Sequence, residues 1–442
     1  MFHHQADELK NLCESVLNQA KRDGATAAEA DVSESVGQSV QVRKQAVEQI
    51  EYQQDKSLDI TVYVGQAKGR ASTADFSANA VAQTVQAALN IARYTAQDEC
   101  AGLADAELMA KNIGDTDAYH PWILPTEDAI DLAKSTEAAA LAADSRISNS
   151  EGASVQTDHY QYVYGNSYGF LAHKQGSRHS VSCSVVAEDE SGMQRDYWYD
   201  TARAREDLTN AESIGIQAAQ RAARRLGARA IPTGNYPVVF DATVSGSLLG
   251  HLVGALSGGA LYRQASFLTD SLGKMVLASW VNVRELPHLP RALSSTYFDA
   301  EGVATHDRTV IDGGTVAGYF LGSYSARKLG MTTTANAGGV HNLHMNHTHA
   351  AQADLLREMG SGLLITELMG QGVNSITGDY SRGAAGFWVE NGEIAYPVEE
   401  ITVASRLQDM FLGLQGAAND ALKRSANKIG SVWVDKMTVA GQ

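Results

Sequence analysis

Cysteine is scarce: Cys13, Cys100 and Cys183 are the only three in 442 residues, and no two form a CxxC pair. Scattered thiols exclude a disulfide framework and predict a reducing, cytoplasmic setting, each thiol a small buried hydrophobe. Positive charge is also short, with 35 Lys and Arg against 51 Asp and Glu and a formal net charge of −16. Nucleic-acid binders carry a basic face, so a phosphate-backbone partner is excluded. No run reaches 18 apolar residues, which excludes a membrane-spanning helix, and no helical pattern has the basic face of a membrane-surface helix. The opening "MFHHQADELKNLCES" has no apolar run after a basic start, so no secretory signal is expected. No period repeats, which excludes a solenoid. Ser245, Ser257 and Ser323 lack a G-x-S-x-G frame, which removes an α/β-hydrolase serine.

What is present is ordinary globular chemistry, 44% hydrophobic and 19% charged, long enough for two or three cores. Ala6, Leu9, Leu12, Val16, Leu17 and Ala20 share one helical face. Val32, Val40 and Val42, then Leu58, Ile60, Val62 and Val64, alternate as half-buried strands do. An alanine-rich helix follows at 78–96, another at 126–144 with Thr126 as its cap, and a third at 208–226. Beyond "AIPTGNYPVVFD" the pattern is mostly strand, with hairpin signals at Asp312-Gly313 and Asn391-Gly392. These patterns predict an α+β protein of two domains: an N-terminal mixed α/β domain (1–230) and a C-terminal domain dominated by antiparallel β-sheet (231–442).

Several motifs carry chemistry. "GGVHNLHMNHTHA" holds His341, His344, His347 and His349 within nine residues, a possible metal cluster or a solvated Gly-led loop. "GDYSRGAAG" fails as a phosphate loop because Ala384 and Ala385 stand where Lys and Ser/Thr are required. Its Arg382 is a candidate partner for a peptide carboxylate, or a cation capping a turn. Arg263 in "LYRQ" invites the parallel pair of readings, cleft cation or structural ion pair.

"LLGHLVGALSGGALYRQASFL", "SYSARKLG", "ITELMGQGVNSITGDYSRGAAGFWVENGEIAYPV" and "MTVAGQ" together resemble the TldD/PmbA family of metallopeptidases, closest to its PmbA (TldE) branch. The resemblance covers the C-terminal half most specifically. It implies a two-domain protein that pairs with a TldD-type chain to mature peptides and degrade small proteins. In the TldD branch the helix carries HExxxH and a later cysteine completes the zinc site. Here the first histidine falls on Gly250, the glutamate on His251 and the second histidine on Ala255, and no cysteine follows Cys183. Catalytic zinc takes about three protein ligands and one open position. The expectation is therefore no metal and no catalytic residue in this chain, with zinc in a TldD-type partner and His251, Arg263 and Arg382 lining a peptide cleft.

Two ligands five residues apart on a straight helix point about 140° apart. The frame thus calls for a bulge or helix end near Gly254, or else Gly254 serves close packing. Two alternatives stay open at this point. One is an independently active metallopeptidase, a homodimer holding metal at His341 and His344; the other is a peptide-binding module without catalysis.

Overall fold

In the computed structural model, which describes residues 2–441, the chain opens with α1 (Ala6–Arg22), β1 (Ala27–Arg43), β2 (Ala46–Val64), β3 (Ala67–Thr73) and α2 (Ala78–Tyr94). After a long connection come α3 (Thr126–Ala143), β4 (Ile147–Asn166), β5 (Leu171–Asp189), β6 (Gly192–Ala202) and α4 (Ala211–Ala223). The six strands form one antiparallel sheet in the order β3-β2-β1-β4-β5-β6. Side chains alternate along a strand, so Val32, Val40, Val42, Leu58, Ile60, Val62, Val155 and Val163 share a face. All are buried there beneath the four helices. On the opposite face Tyr164, Phe170 and Ala172 pack against Phe298 and Val303 from the second half of the chain. The sheet is therefore covered on both sides around β4 and β5, while residues 46–56 of β2 stay exposed.

Two local expectations need correction. Thr126 is the first residue of α3 and not its cap; Pro125 takes that place, and the Thr126 hydroxyl instead accepts from Gln38 Nε2 at 3.3 Å. The helix predicted at 208–226 is shorter at both ends: the Asn210 side chain accepts the Ser213 N–H and starts it late, and it ends at Ala223 with Arg224 as its C-cap.

The β1–β2 hairpin turns on Lys44 and Gln45, non-glycine residues held at φ 52° and 61°. Left-handed backbone is unfavourable for such residues and persists only where surrounding structure imposes it. Here the buried Glu137 carboxylate of α3 imposes it, accepting both turn N–H groups at 2.8 and 2.7 Å and Gln45 Nε2 at 2.9 Å. Burial alone would push the Glu137 pKa up, but these hydrogen bonds, with that of Ser150, outweigh it and hold it below the usual value.

The second half contains β7 (Gly234–Phe240), α5 (Ala242–Ala255), α6 (Gly258–Tyr262), β8 (Val283–Glu285), β9 (Arg308–Asp312), β10 (Thr315–Val316), α7 (Ser323–Lys328) and β11 (Leu343–Met345). It finishes with α8 (Gln352–Met359), β12 (Gly362–Met369), β13 (Asp379–Glu390), β14 (Glu393–Arg406), α9 (Leu407–Leu412), β15 (Leu414–Ala417) and β16 (Val432–Ala440). The larger sheet runs β14-β13-β12-β7-β16-β15, and a further β14–β16 pairing closes five of its strands into a barrel. Pairing is antiparallel except between β7 and β12. A four-stranded sheet, β10-β9-β8-β11, lies beside it. Asn391 and Gly392 make the β13–β14 turn with φ 53° and 82°, as their sequence signals. The other hairpin is displaced by one residue: Asp312 pairs with Thr315, so Gly313 and Gly314 make the turn. Two glycines reach positive φ without a Cβ clash, which Asp312 does not.

Leu252 is among the largest fully buried side chains, set in the core that joins α5 to the barrel. Leu252→Ala is expected to lower stability by about 2–5 kcal/mol in denaturant titration; a change near zero would mean that α5 is not fastened there. Glu137→Ala, which strips the β1–β2 turn of its acceptor, is expected to lower it by about 2–3 kcal/mol. Because the folded Glu137 pKa is depressed, this contribution is present above the ordinary value of about 4.3 and lost as pH falls through the lower folded value. Stability curves of wild type and variant that fail to converge in acid would contradict that assignment.

Candidate functional site

β7 passes into α5 through Asp241, whose carboxylate caps the helix by accepting the Thr243 N–H at 2.9 Å and its hydroxyl at 2.6 Å. Ser245, Leu248, Leu249, Leu252 and Ala255 turn inward. Gly246, Gly250 and Gly254 recur every fourth residue on the opposite side, where an added Cβ would meet nothing within 4 Å. Gly250 is exposed, whereas Ala255 is 1% exposed within the core. The helix is unbroken through Gly254: the Leu256 N–H still reaches the Leu252 carbonyl at 3.0 Å. The bend expected at Gly254 thus falls after Ala255, and the alternative of close packing at Gly254 fails because its surroundings are open.

His251 is half-buried and meets Tyr380 of β13 edge to face, with ring centroids 5.9 Å apart. Among the described residues its Nε2 has no hydrogen-bond partner, and neither has the buried Tyr380 hydroxyl. Burial first, and then the Arg382 charge, push the His251 pKa below its usual value, so the ring is neutral at pH 7. Burial lifts the Tyr380 phenol to about 12, against the opposing pull of Arg382. A neutral imidazole beside a neutral phenol can donate or accept one hydrogen bond each. With an open glycine, one imidazole and a buried alanine at the three key positions, the residues present do not fit a zinc ion.

The other predicted residues scatter. Arg263 is exposed at the end of α6, donating to the Tyr262 hydroxyl at 3.3 Å and lying over that ring, with no carboxylate within 4.0 Å among the described residues. The ion pair considered for it is not formed, and it stands apart from the cavity that holds Arg382.

The histidine run is not a single solvated loop. His341 is buried, its Nε2 2.9 Å from the Ala335 carbonyl and its N–H donating to Glu285 at 2.7 Å. Glu285 in turn pairs with Arg308 at 2.7 Å and accepts from Asn336, a buried polar knot. His344 sits on β11 opposite Arg284, half-buried, its pKa pushed down by burial, then by Lys428 and Arg284. His347 is exposed, and His349 is held between Thr348 and Glu358 at 2.7 Å each. Among the described residues no three His, Cys, Asp or Glu side chains converge as metal ligands.

Arg382 leads to a feature that the motifs did not reveal. Between the edge strand β6, helix α4, the first half of α5 and β12 lies a cavity of ≈ 370 Å³. Arg195, Arg221, Arg225, Arg382 and Arg424 line it against two carboxylates, Asp196 and Glu367. Asp196 bonds to Arg221 Nε at 3.1 Å, and Glu367 lies 2.5 Å from Arg225. The Arg424 guanidinium carbon lies over Trp198 and Tyr199, 4.0 and 4.2 Å from their ring centres. A bulge in β12 between Ile365 and Glu367 brings the consecutive residues Thr366, Glu367 and Leu368 to the wall. Arg221, Arg225 and Arg424 carry no local motif, and their grouping arises only when the two halves of the chain meet.

No helix among the described residues is long and apolar enough to cross a membrane. Family models for the PmbA/TldA metallopeptidase match the chain in three parts: domain 1 at residues 28–92, the central domain at 119–226 and the C-terminal domain at 233–441. The chain is 49% identical to Metalloprotease PmbA of Escherichia coli O157:H7 over 96% of its length and 94% of that protein. It is 46% identical to a Metalloprotease PmbA homolog of Haemophilus influenzae over 99% and 97%. A crystal structure of a candidate modulator of DNA gyrase from Bacteroides thetaiotaomicron superposes with a TM-score of 0.93 at 28% identity, covering 99% of this chain and 100% of that one. TldE from Thermococcus kodakarensis, at 17% identity, shares the fold with a TM-score of 0.84 over 97% and 100%. The α+β architecture and the sequence agree: the chain belongs to the PmbA/TldD family of metallopeptidases.

Proposed function

We propose that this chain is a TldE-like subunit of a cytoplasmic two-chain peptidase. It shapes the chamber in which a zinc-bearing TldD-type partner hydrolyses peptides during peptide maturation and the degradation of small proteins. The observation that carries the reading is the state of α5. Its outward face holds Gly250 with open space around it, its inward face holds Ala255, and between them His251 is uncharged at neutral pH. A single neutral imidazole facing unactivated water lacks the cation that lowers the pKa of bound water from about 16 to about 7. What remains is a smooth, glycine-lined helix face beside two unpaired polar atoms, suited to admitting an extended peptide without cutting it. Hydrolysis belongs to the partner, and this chain contributes walls, binding groups and stability to the complex.

The decisive measurement is metal content and peptide cleavage for this chain alone, for a TldD-type chain alone, and for the two mixed. Cleavage confined to the mixture is expected, with stoichiometric zinc assigned to the partner. Turnover by the solitary chain, lost on changing His341 and His344, would favour the homodimeric metallopeptidase instead; tight peptide capture with no cleavage in any mixture would favour a binding module. A second test uses the open helix face. Gly250→Ala is expected to stabilise the isolated chain by about 0.5–1 kcal/mol, since glycine weakens a helix interior and nothing obstructs the methyl. In the mixture the same methyl intrudes on the chamber, so cleavage falls while the thermal midpoint of the isolated chain rises. A variant that neither gains stability nor loses cleavage would show that this face has no part in the site.

A further inference from the structure

The arginine-lined cavity between the two halves of the chain is out of character with a protein of net charge −16. Five guanidiniums face two carboxylates, and those two are already engaged with Arg221 and Arg225. Arg195 has a carboxylate at its other side, Glu151 at 3.4 Å. Two cations are left over. Among the described residues, neither Arg382 nor Arg424 has a carboxylate within 4.0 Å. Arg382 points its Nε at the Met369 carbonyl at the limit of hydrogen-bond length, 3.5 Å. The Nε of Arg424 is buried without any hydrogen-bond partner among the described residues. A buried, unpaired guanidinium donor is unfavourable unless something supplies the acceptor, because its lost hydration is not replaced.

The cavity has further properties of a binding site. The Arg424 guanidinium is packed against the rings of Trp198 and Tyr199, which restrains it before any ligand arrives. Among the described residues β6 is the outer strand of its sheet, hydrogen-bonded to β5 alone. Arg195 to Tyr199 of this strand form one wall; the Tyr197 N–H is taken by the Asp196 carboxylate at 2.7 Å, while an unpaired strand edge is of the kind an extended peptide can pair with. Thr243, Val244 and Ser247 of α5 form another wall. One turn beyond them on the same helix stand Gly250 and His251, about 5.4 Å further along the axis. A chain lying along this helix face has one end in the arginine cavity.

We propose that this cavity binds a peptide carboxylate, held by Arg382 and Arg424 while the adjoining peptide main chain lies along the edge of β6. The planar guanidinium fork matches a carboxylate through two parallel hydrogen bonds. The ligand class is therefore a peptide ending in a free carboxyl group, or one carrying an acidic side chain, and an anchor of this kind sets which bond is presented farther along α5. This inference rests on the chamber reading above for its biological meaning, but the binding itself is a property of the isolated chain.

The test is direct binding to the full chain, alone and metal-free, followed by calorimetry and by the change in tryptophan fluorescence that is lost in Trp198→Phe. The probes are N-acetyl-tetra-alanine as the free acid, its C-terminal amide, an amide of the same length carrying one internal glutamate, and inorganic phosphate. The free acid is expected to bind at least about tenfold more tightly than the plain amide. Arg382→Gln and Arg424→Gln should each remove about tenfold from the free-acid affinity and leave that of the amide unchanged. Arg424→Lys keeps the charge and loses the flat fork, so partial loss with an unaltered melting midpoint separates recognition from misfolding. Arg357→Gln, at an exposed position of α8 away from the cavity, serves as the control. Retention of the glutamate amide at the affinity of the free acid assigns the carboxylate to a side chain; its rejection assigns it to the terminus. Equal binding of acid and plain amide, unchanged affinity in both Gln variants, or phosphate binding without any peptide binding would overturn the proposal. Carboxylate binding that stands while a partner mixture cleaves nothing would defeat the subunit reading and leave this one intact.

Discussion

The one-sided burial of α5 is the constraint on which the rest of the site depends. Leu248, Leu249, Leu252 and Ala255 hold the helix to the barrel, so its rotation about its own axis is fixed to within a side chain. Once that rotation is set, every other position has its surroundings decided. Gly250 and Gly254 must look outward, His251 must lie at the boundary against Tyr380, and Ala255 must be swallowed. The three positions 250, 251 and 255 are therefore split between surroundings: Gly250 stands on the open face, His251 at the boundary, and Ala255 in the packed stripe itself. The helix end follows Ala255 for the same reason: the inward residue completes the apolar stripe, and the chain then breaks away to start α6.

The second organising feature is the meeting of a sheet edge with a barrel. β6 leaves its outer edge unpaired, and such an edge is ordinarily covered or charged to prevent unwanted strand addition. Here it is flanked by α4, α5 and β12, with arginines contributed from both halves. The Asp196–Arg221 and Glu367–Arg225 pairs tie the walls together. Buried or half-buried ion pairs of this kind contribute more to the position of the two halves than to net stability, because desolvation offsets much of the attraction. The same economy of charge leaves Arg382 and Arg424 unmatched. Elsewhere at the junction, Arg327 donates to the carbonyls of Cys100, Gly102 and Leu103 and pairs with Asp105 at 3.1 Å, so its charge is matched within the protein.

Much of the architecture was legible in the chain because it depends on local period and turn chemistry. The alternation of Val32 through Val64 is periodic over a long stretch, and its buried face is the one predicted. Asn391-Gly392 supplies both left-handed residues of its turn. The failures have physical causes that lie outside any local window. Lys44-Gln45 turns a hairpin with no turn-forming residue, because Glu137, more than ninety residues away, holds its two N–H groups. Thr126 looks like a cap, yet α3 begins one residue earlier than its hydroxyl could serve. The four histidines from His341 to His349 look like a metal cluster, yet each has a different neighbour once β11 and the loop around it are placed.

The sequence by itself determined the fold class, the family, and the absence of HExxxH side chains at 250, 251 and 255, since each follows from residue identity and short-range spacing. Tertiary structure alone decided which way those positions face, that His251 meets Tyr380, and that arginines from residues 195 to 424 gather around one cavity. Identity and period are written along the chain, whereas convergence depends on rotations and contacts between segments hundreds of residues apart. Only the packed core chooses among those.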